Sequence, residues 1–411
     1  MPGRLAAIVI LIGVSILINY IDRGNLSTAA TLVKKELHIS PSQLGFLLTA
    51  FFITYVPMQP LVGWLVDRFT ASRVLVAGFI IWSLATVLSG FAEGFAWLFA
   101  CRLLLGVGES VSFPSMAKIF AENVSERHRS LANGIAQAGL AFGPAFGVFF
   151  GGMLIAAYGW RPFFIAFGFV SLLWVAAWML LTKGHVHHSD ASQVAGAPSM
   201  KVILREPSLW GASLGHFCAN FVLYFQLTWI PYYLVNQRHW SLPQMAAIAG
   251  TAYLLAGISC ILSGTIADRI IRGGAPASFV RKATFALGAA GVATGLIGCG
   301  HSSDFGSELW LMFAGASSGF LGLNTYVVGQ VMAGPTATGR WVGIQNTLGN
   351  IAGLIAPSLT GILVERTGNF TLPFTIAAAC AVAGGLSWVF LVGPIAPIDW
   401  RARTASGKAA A

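Results

Sequence analysis

The chain has 411 residues, 56% of them hydrophobic and only 9% charged, and a formal net charge of +10. So apolar a composition excludes an ordinary soluble domain. In a membrane protein the placement of Lys and Arg is more informative than their excess, so the positive charge does not argue for nucleic acid. Apolar runs of about 20 residues, enough to cross roughly 30 Å of hydrocarbon, recur along the whole length. Backbone groups in lipid must be satisfied internally, which leaves helices or a closed barrel, and runs this uniformly apolar lack the alternation of a barrel. The expected fold is all-α, embedded in a lipid bilayer.

In chain order, twelve spans are expected: 5–29, 43–66, 74–92, 95–120, 130–156, 161–182, 208–235, 242–267, 281–300, 308–332, 339–365 and 371–393. The first follows Arg4 and is interrupted by Asp22 and Arg23. It is too long for the apolar core of a signal peptide and is expected to remain as an uncleaved helix. The longest polar segment, rich in His, Ser, Ala and Pro, separates two six-helix groups. The expected organisation is an N-terminal bundle (1–182), a linker (183–207), a C-terminal bundle (208–395) and a tail (396–411). Basic residues sort between alternate loops. Arg4, Arg68, Arg73, Lys118, Arg127, Arg129, Lys183, Lys201, Arg205, Arg269, Arg272, Arg281, Lys282, Arg340, Arg401, Arg403 and Lys408 fall on one side, against Lys34, Lys35, Arg161, Arg238 and Arg366 on the other. The positive-inside bias then places both termini and the linker in the cytoplasm.

Within the first span, Asn19-Tyr20-Ile21-Asp22-Arg23-Gly24-Asn25 sets an acid, a base and two amides in an otherwise apolar run. A charge at the bilayer centre costs at least roughly 2.5 to 3.5 kcal/mol on insertion scales, so such residues face a protein interior or a wet cavity. Helical spacing puts Asn19, Tyr20 and Arg23 on one stripe, with Asp22 beside it. On the fourth span Arg102 and Glu109, seven apart, share a face. Burial disfavours the charged form of a carboxylate and a nearby Arg favours it, so moving the Arg or binding a competing anion can switch the acid between protonated and ionised. An Arg fork also reads a planar carboxylate with two parallel hydrogen bonds, as Lys does not. An organic anion is the expected substrate and a proton the coupling ion. The alternative for these four residues is an ion-paired staple between helices.

Other polar residues interrupt the spans. They include Tyr55 and Gln59 beside Pro57 and Pro60, Gln137, the stripe His216, Asn220 and Tyr224, then Asn324, Tyr326 and Gln330, and finally Gln345, Asn346 and Asn350. Singly, each could equally be interhelical glue; together they favour a polar central cavity, with Asn346 and Asn350 ranked as ligand contacts. Cys101, Cys218, Cys260, Cys299 and Cys380 are scattered without pairing or metal spacing, and His185, His187 and His188 read as solvated linker residues, so no metal is expected. No Gly-x-x-x-x-Gly-Lys stretch exists to support ATP-driven transport, and no cofactor loop or nucleophile motif suggests an enzyme.

A repeat supports the two-bundle division. Gly63-Trp64-Leu65-Val66-Asp67-Arg68 follows the second span, and Gly264-Thr265-Ile266-Ala267-Asp268-Arg269 follows the eighth. Parallel six-helix repeats holding a substrate between them are a transporter architecture. On these residues the sequence resembles the major facilitator superfamily. Gly63 to Leu75 is similar to its signature loop, although Thr70, Ala71 and Ser72 depart from the usual Gly and two basic residues. The resemblance implies that Asp67, Arg68 and Arg73, and by the repeat Asp268 and Arg269, gate the cytoplasmic side.

Asn19 to Ser27, Arg102 to Glu109 and Gly159-Trp160-Arg161-Pro162-Phe163-Phe164 together resemble the anion:cation symporter branch, which includes carriers of hexuronates, galactonate and glucarate. That resemblance implies a proton-coupled importer of a sugar acid in the inner membrane, working alone, without a cofactor. Asp22 and Glu109 would be the proton-coupling acids, Arg23 the substrate-carboxylate ligand and Arg102 the partner of Asp22. Tyr20, Tyr55 and Gln137 match substrate-contact positions. The rival readings are an aromatic-acid carrier and a transporter-like sensor; the latter is disfavoured by the lack of an added cytoplasmic domain.

Overall fold

The computed structural model describes residues 3–124, 126–182, 198–302, 304–400 and 403. The His185, His187 and His188 cluster and most of the expected linker lie outside them. The helices in chain order are α1 (Gly3–Thr28), α2 (Ala30–Glu36), α3 (Pro41–Arg68), α4 (Ala71–Ser89), α5 (Phe95–Glu109), α6 (Ser112–Asn123) and α7 (Glu126–Phe146). A π-helical turn (Gly147–Gly151) leads to α8 (Gly152–Tyr158). Then come α9 (Trp160–Thr182), α10 (Met200–Leu204), α11 (Pro207–Asn236), α12 (Leu242–Arg272), α13 (Ala277–His301), α14 (Asp304–Thr367) and α15 (Thr371–Phe390).

The twelve expected spans are recovered with a few refinements. The first continues into α2 after Ala29, the fourth divides at Ser110–Val111 into α5 and α6, and the fifth contains the π-helical turn. The tenth and eleventh are the two parts of α14, separated at Gly334, whose φ of 64° breaks the helical backbone and suits a residue without Cβ. Among the described residues, ten helices meet the length and apolarity needed to cross a membrane. The two spans outside that set are α11, 30 residues long, and the first part of α14. Apolar side chains such as Leu173, Leu180, Leu287 and Phe390 point outward, as expected where lipid rather than water is the solvent.

The chain forms two compact units. The first gathers Met1–Ala191 with Phe225–Leu254 and Leu354–Phe370. In it α1 packs on α7, the π-helical turn and α9, while α5 packs on α3 and α4. The close approach of α5 rests on Gly106 and Gly108: a Cβ at Gly106 would strike the Phe51 carbonyl of α3, and one at Gly108 would lie 2.6 Å from the Trp82 nitrogen of α4. Small residues let membrane helices meet backbone to backbone, and here they bring the polar residues of α1, α3, α4 and α5 together. The second unit comprises Ser192–Tyr224, Leu255–Gly353 and Thr371–Ala411, with α13 packed on α15. An aromatic stack repeats at equivalent places: Phe79 of α4 on Trp174 of α9 at 4.2 Å, and Phe285 of α13 on Trp388 of α15 at 4.2 Å. The duplication visible in the sequence thus extends to packing.

At one end of the first unit, Gly159 takes a φ of 84° and turns the chain from α8 into α9, presenting Trp160 and Arg161 to Glu36. Trp160 Nε1 donates to one carboxylate oxygen and Arg161 Nε to the other at 2.7 Å, while a second Arg161 nitrogen reaches the Gly90 carbonyl at the end of α4. The Arg161 hydrogen bond foremost, with Trp160 adding to it, holds the Glu36 carboxyl below the usual carboxylate range. A depressed folded value means that the contact stabilises above the ordinary Glu range, near 4.3, and fades as pH falls through the lowered value. Both side chains are partly exposed, so the effect is small, about 0.2 to 1 kcal/mol. Glu36→Gln should melt slightly below the parent protein at pH 7, and the gap should close on acidification below about pH 4. A gap independent of pH would contradict the assignment.

Candidate functional site

Asp22, Arg23, Arg102 and Glu109 are all buried within the first unit, with at most 4% of each exposed, so none of the four projects into lipid. Helical geometry decides their partners. Successive residues of a helix diverge by about 100°, so Asp22 and Arg23 address different neighbours. Arg23 Nε donates to Glu109 Oε2 of α5 at 2.9 Å. Its guanidinium carbon lies 4.7 Å from the ring centre of Tyr20, 4.8 Å from Phe51 and 4.6 Å from Tyr55, so three aromatic rings wall the cation. Phe51 and Tyr55 are themselves stacked, which fixes that wall.

Asp22 turns to α4 instead. Its carboxylate accepts from the Thr86 hydroxyl, 3.0 Å from Oδ1 and 2.9 Å from Oδ2, and from Asn25 Nδ2 at 3.1 Å. The Asp22–Arg102 ion pair implied by the family resemblance is not formed here. Arg102 stands over Phe51, 5.8 Å from its centre, and makes no ion pair with another described side chain; its Nε is buried without a hydrogen-bond partner among the described residues. Two acids and two bases therefore share one buried region as one close pair, Arg23 with Glu109, and two groups held apart. Asn19 reaches Ser112 of α6 at 3.4 Å.

The remaining expected residues fall into three groups. Tyr20 and Tyr55 stand beside Arg23. The side chain of Gln137 lies outside the described residues. Asn346 and Asn350 belong to the second unit, where Asn350 accepts from the Tyr224 hydroxyl at 2.7 Å and its amide donates to Asn346 at 3.0 Å. His216 packs nearby, against Gly349. Gln345 is occupied as glue: it accepts from Trp341 and donates to the Thr325 carbonyl. Of the expected gating residues, Asp67 has its side chain outside the described set. Arg68, Arg73, Asp268 and Arg269 are exposed and make no ion pair with a described side chain; Arg68 stacks over Trp64 at 5.8 Å. Among the described residues no cluster of His, Cys, Asp or Glu has metal-binding geometry.

Thr86 and Phe51 were not legible as site residues. A lone Thr in an apolar span reads as ordinary, and Phe51 as core. The one available signal was Gly106-x-Gly108, which marks the face on which α5 meets α3 and α4.

A multi-pass helical membrane protein with duplicated bundles and a buried acid–base cluster between its first helices is the class that fold and site define. The family model of the Major Facilitator Superfamily matches residues 12–333, and the chain belongs to that superfamily. It is 32% identical to the protein named "Probable sulfoacetate transporter SauU" of Cupriavidus necator, over 93% of this chain and 92% of that one. It is 28% identical to the "Probable galactarate/D-glucarate transporter GarP" of Escherichia coli, over 94% of each. The fold is also that of a crystallised bacterial homologue of the human lysosomal transporter Spinster, with a TM-score of 0.76, 18% identity, and coverage of 99% and 98% of the two chains.

Proposed function

We propose that this protein is a symporter of the inner membrane, both termini cytoplasmic, that imports an organic anion with protons by alternating access. The observation that carries this reading is the buried Arg23, ringed by Tyr20, Phe51 and Tyr55 and tied to Glu109. A guanidinium paired with a buried carboxylate can exchange that partner for a substrate carboxylate when the acid takes a proton, so anion and proton load together. Two phenols beside the cation offer hydrogen bonds to a hydroxylated substrate. A sugar acid (hexuronate, aldonate or aldarate) suits those groups and the galactarate/glucarate relative. A small sulfonate-bearing carboxylate is the second reading, favoured by the 32% identical sulfoacetate relative.

The test is uptake by purified protein in liposomes, with labelled glucarate, galactonate, glucuronate and sulfoacetate offered separately under an inward proton gradient. Accumulation of one of them, abolished by a protonophore, is expected. Accumulation indifferent to the gradient would remove the proton; uptake of none would remove this anion class.

A further inference from the structure

The Thr86 hydroxyl stands within hydrogen-bond distance of three acceptors, the two Asp22 carboxylate oxygens and, one turn back on its own helix, the Trp82 carbonyl at 3.1 Å. A hydroxyl has one hydrogen and two lone pairs, so it can donate to only one of them at a time. Both ends of this contact are buried: 1% of Asp22 and 2% of Thr86 are exposed, so bulk water does not make up for a bond left unmade.

We propose that Thr86 is a positioning residue for the coupling acid. Its hydroxyl donates to ionised Asp22 and, when Asp22 carries a proton, accepts from it while turning its own hydrogen to the Trp82 carbonyl. The inference rests on the proton-coupled reading above. In the ionised state Asp22 accepts from Thr86 and from Asn25. In the neutral state its new O–H needs an acceptor, and Thr86 Oγ1 is already at 2.9 Å. The displaced Thr86 hydrogen finds the Trp82 carbonyl without any heavy atom moving. A buried carboxyl with only donors around it would be satisfied when charged and stranded when neutral; this rotor satisfies both states.

The charged groups that act on Asp22 are Glu109 and Arg102 from α5; Arg23 and the titratable Tyr20 lie on its own helix. Other described charged residues on helices packed near it are Lys34, Lys35 and Glu36 of α2, Arg73 of α4 and Arg161 of α9, which lie toward helix ends, and Lys118 in the middle of α6. None of these supplies the local acceptor that neutral Asp22 requires.

The experiment is infrared titration of the full-length protein in lipid, in which the neutral-carboxyl stretch lost in Asp22→Asn identifies Asp22. In Thr86→Val, similar in shape but unable to donate or accept, two changes are expected. The bond to the charged form is the stronger one lost, so the half-titration point of the band moves up by about one pH unit. The band itself moves to higher wavenumber, because the neutral acid has lost its acceptor. Thr86→Ser restores both, and the pH profile of uptake follows the band. Thr86→Ala serves if the Val variant does not fold. A band that titrates but keeps its midpoint and frequency in Thr86→Val overturns the inference and spares proton coupling. A shifted midpoint with unchanged frequency leaves Thr86 a simple donor and equally overturns the two-way rotor. Absence of any titrating band lost in Asp22→Asn removes Asp22 as a coupling acid, and the inference with it.

Discussion

Arg23→Lys should lower kcat/KM for anion uptake by roughly 30- to 160-fold while leaving the protein folded, and Arg23→Ala should lower both uptake and melting temperature. The difference follows from what each change leaves behind. Lys keeps a positive charge near Glu109 but loses the planar fork, and a single N–H replacing a bidentate pair costs about 2 to 3 kcal/mol of anion binding. Ala leaves Glu109, which is 0% exposed, without its 2.9 Å partner. Breaking a buried pair from one side is destabilising by about 3 to 5 kcal/mol, because the surviving charge stays buried. The double variant Arg23→Ala/Glu109→Gln removes that stranded charge, so it should regain much of the lost melting temperature and none of the uptake. Thermal melts of the three variants, read beside initial uptake rates, separate the two effects. Unaltered uptake by Arg23→Lys would show that the anion does not use the Arg fork. Uptake recovered along with stability in the double variant would show that Arg23 is only a staple.

How much of this was legible beforehand differs by level. The spans were legible because lipid thickness sets a length that apolar runs either meet or miss, and even α11 and the first part of α14, which carry His216, Asn220 and Asn324, fell where expected. The breaks inside spans were less so. The division at Ser110–Val111 and the π-helical turn at Gly147 depend on packing against neighbours, and hydropathy does not record it. Within a helix, spacing puts Arg102 and Glu109 on one face and sets Asp22 beside Arg23. Spacing says nothing of how one helix is rotated against another, so pairing Asp22 with Arg102 and pairing Arg23 with Glu109 were equally compatible with it. Contacts across α1, α4 and α5 decide the matter: Asp22 faces Thr86 and Arg23 faces Glu109. Repeat detection, by contrast, carried further than its motif, since the Phe79–Trp174 and Phe285–Trp388 stacks lie in corresponding helices of the two halves.

Glu109→Gln should uncouple transport from the proton gradient without preventing it. Gln resembles the protonated acid in shape and charge, and its amide oxygen can still accept from Arg23 Nε where Glu109 Oε2 does now. What it cannot do is release a proton and reclaim the guanidinium as a full anion. In the parent protein, ionised Glu109 competes with substrate for Arg23, so anion affinity should fall as external pH rises; in the variant that competitor is permanently neutral and affinity should become nearly flat with pH. If one proton accompanies a monoanion, each unit of pH gradient supports about a tenfold accumulation, equivalent to about 1.4 kcal/mol. The variant should reach a ratio near one while still exchanging labelled for unlabelled anion across the membrane, because exchange needs the rocking cycle but no net proton movement. Counterflow and gradient-driven uptake measured on the same liposomes make the distinction. Loss of both would mean that Glu109 is needed for folding or rocking. Retention of gradient-driven accumulation would move the coupling proton to Asp22 alone, where the hydrogen bonds from Thr86 and Asn25 already single out a carboxyl not committed to an arginine.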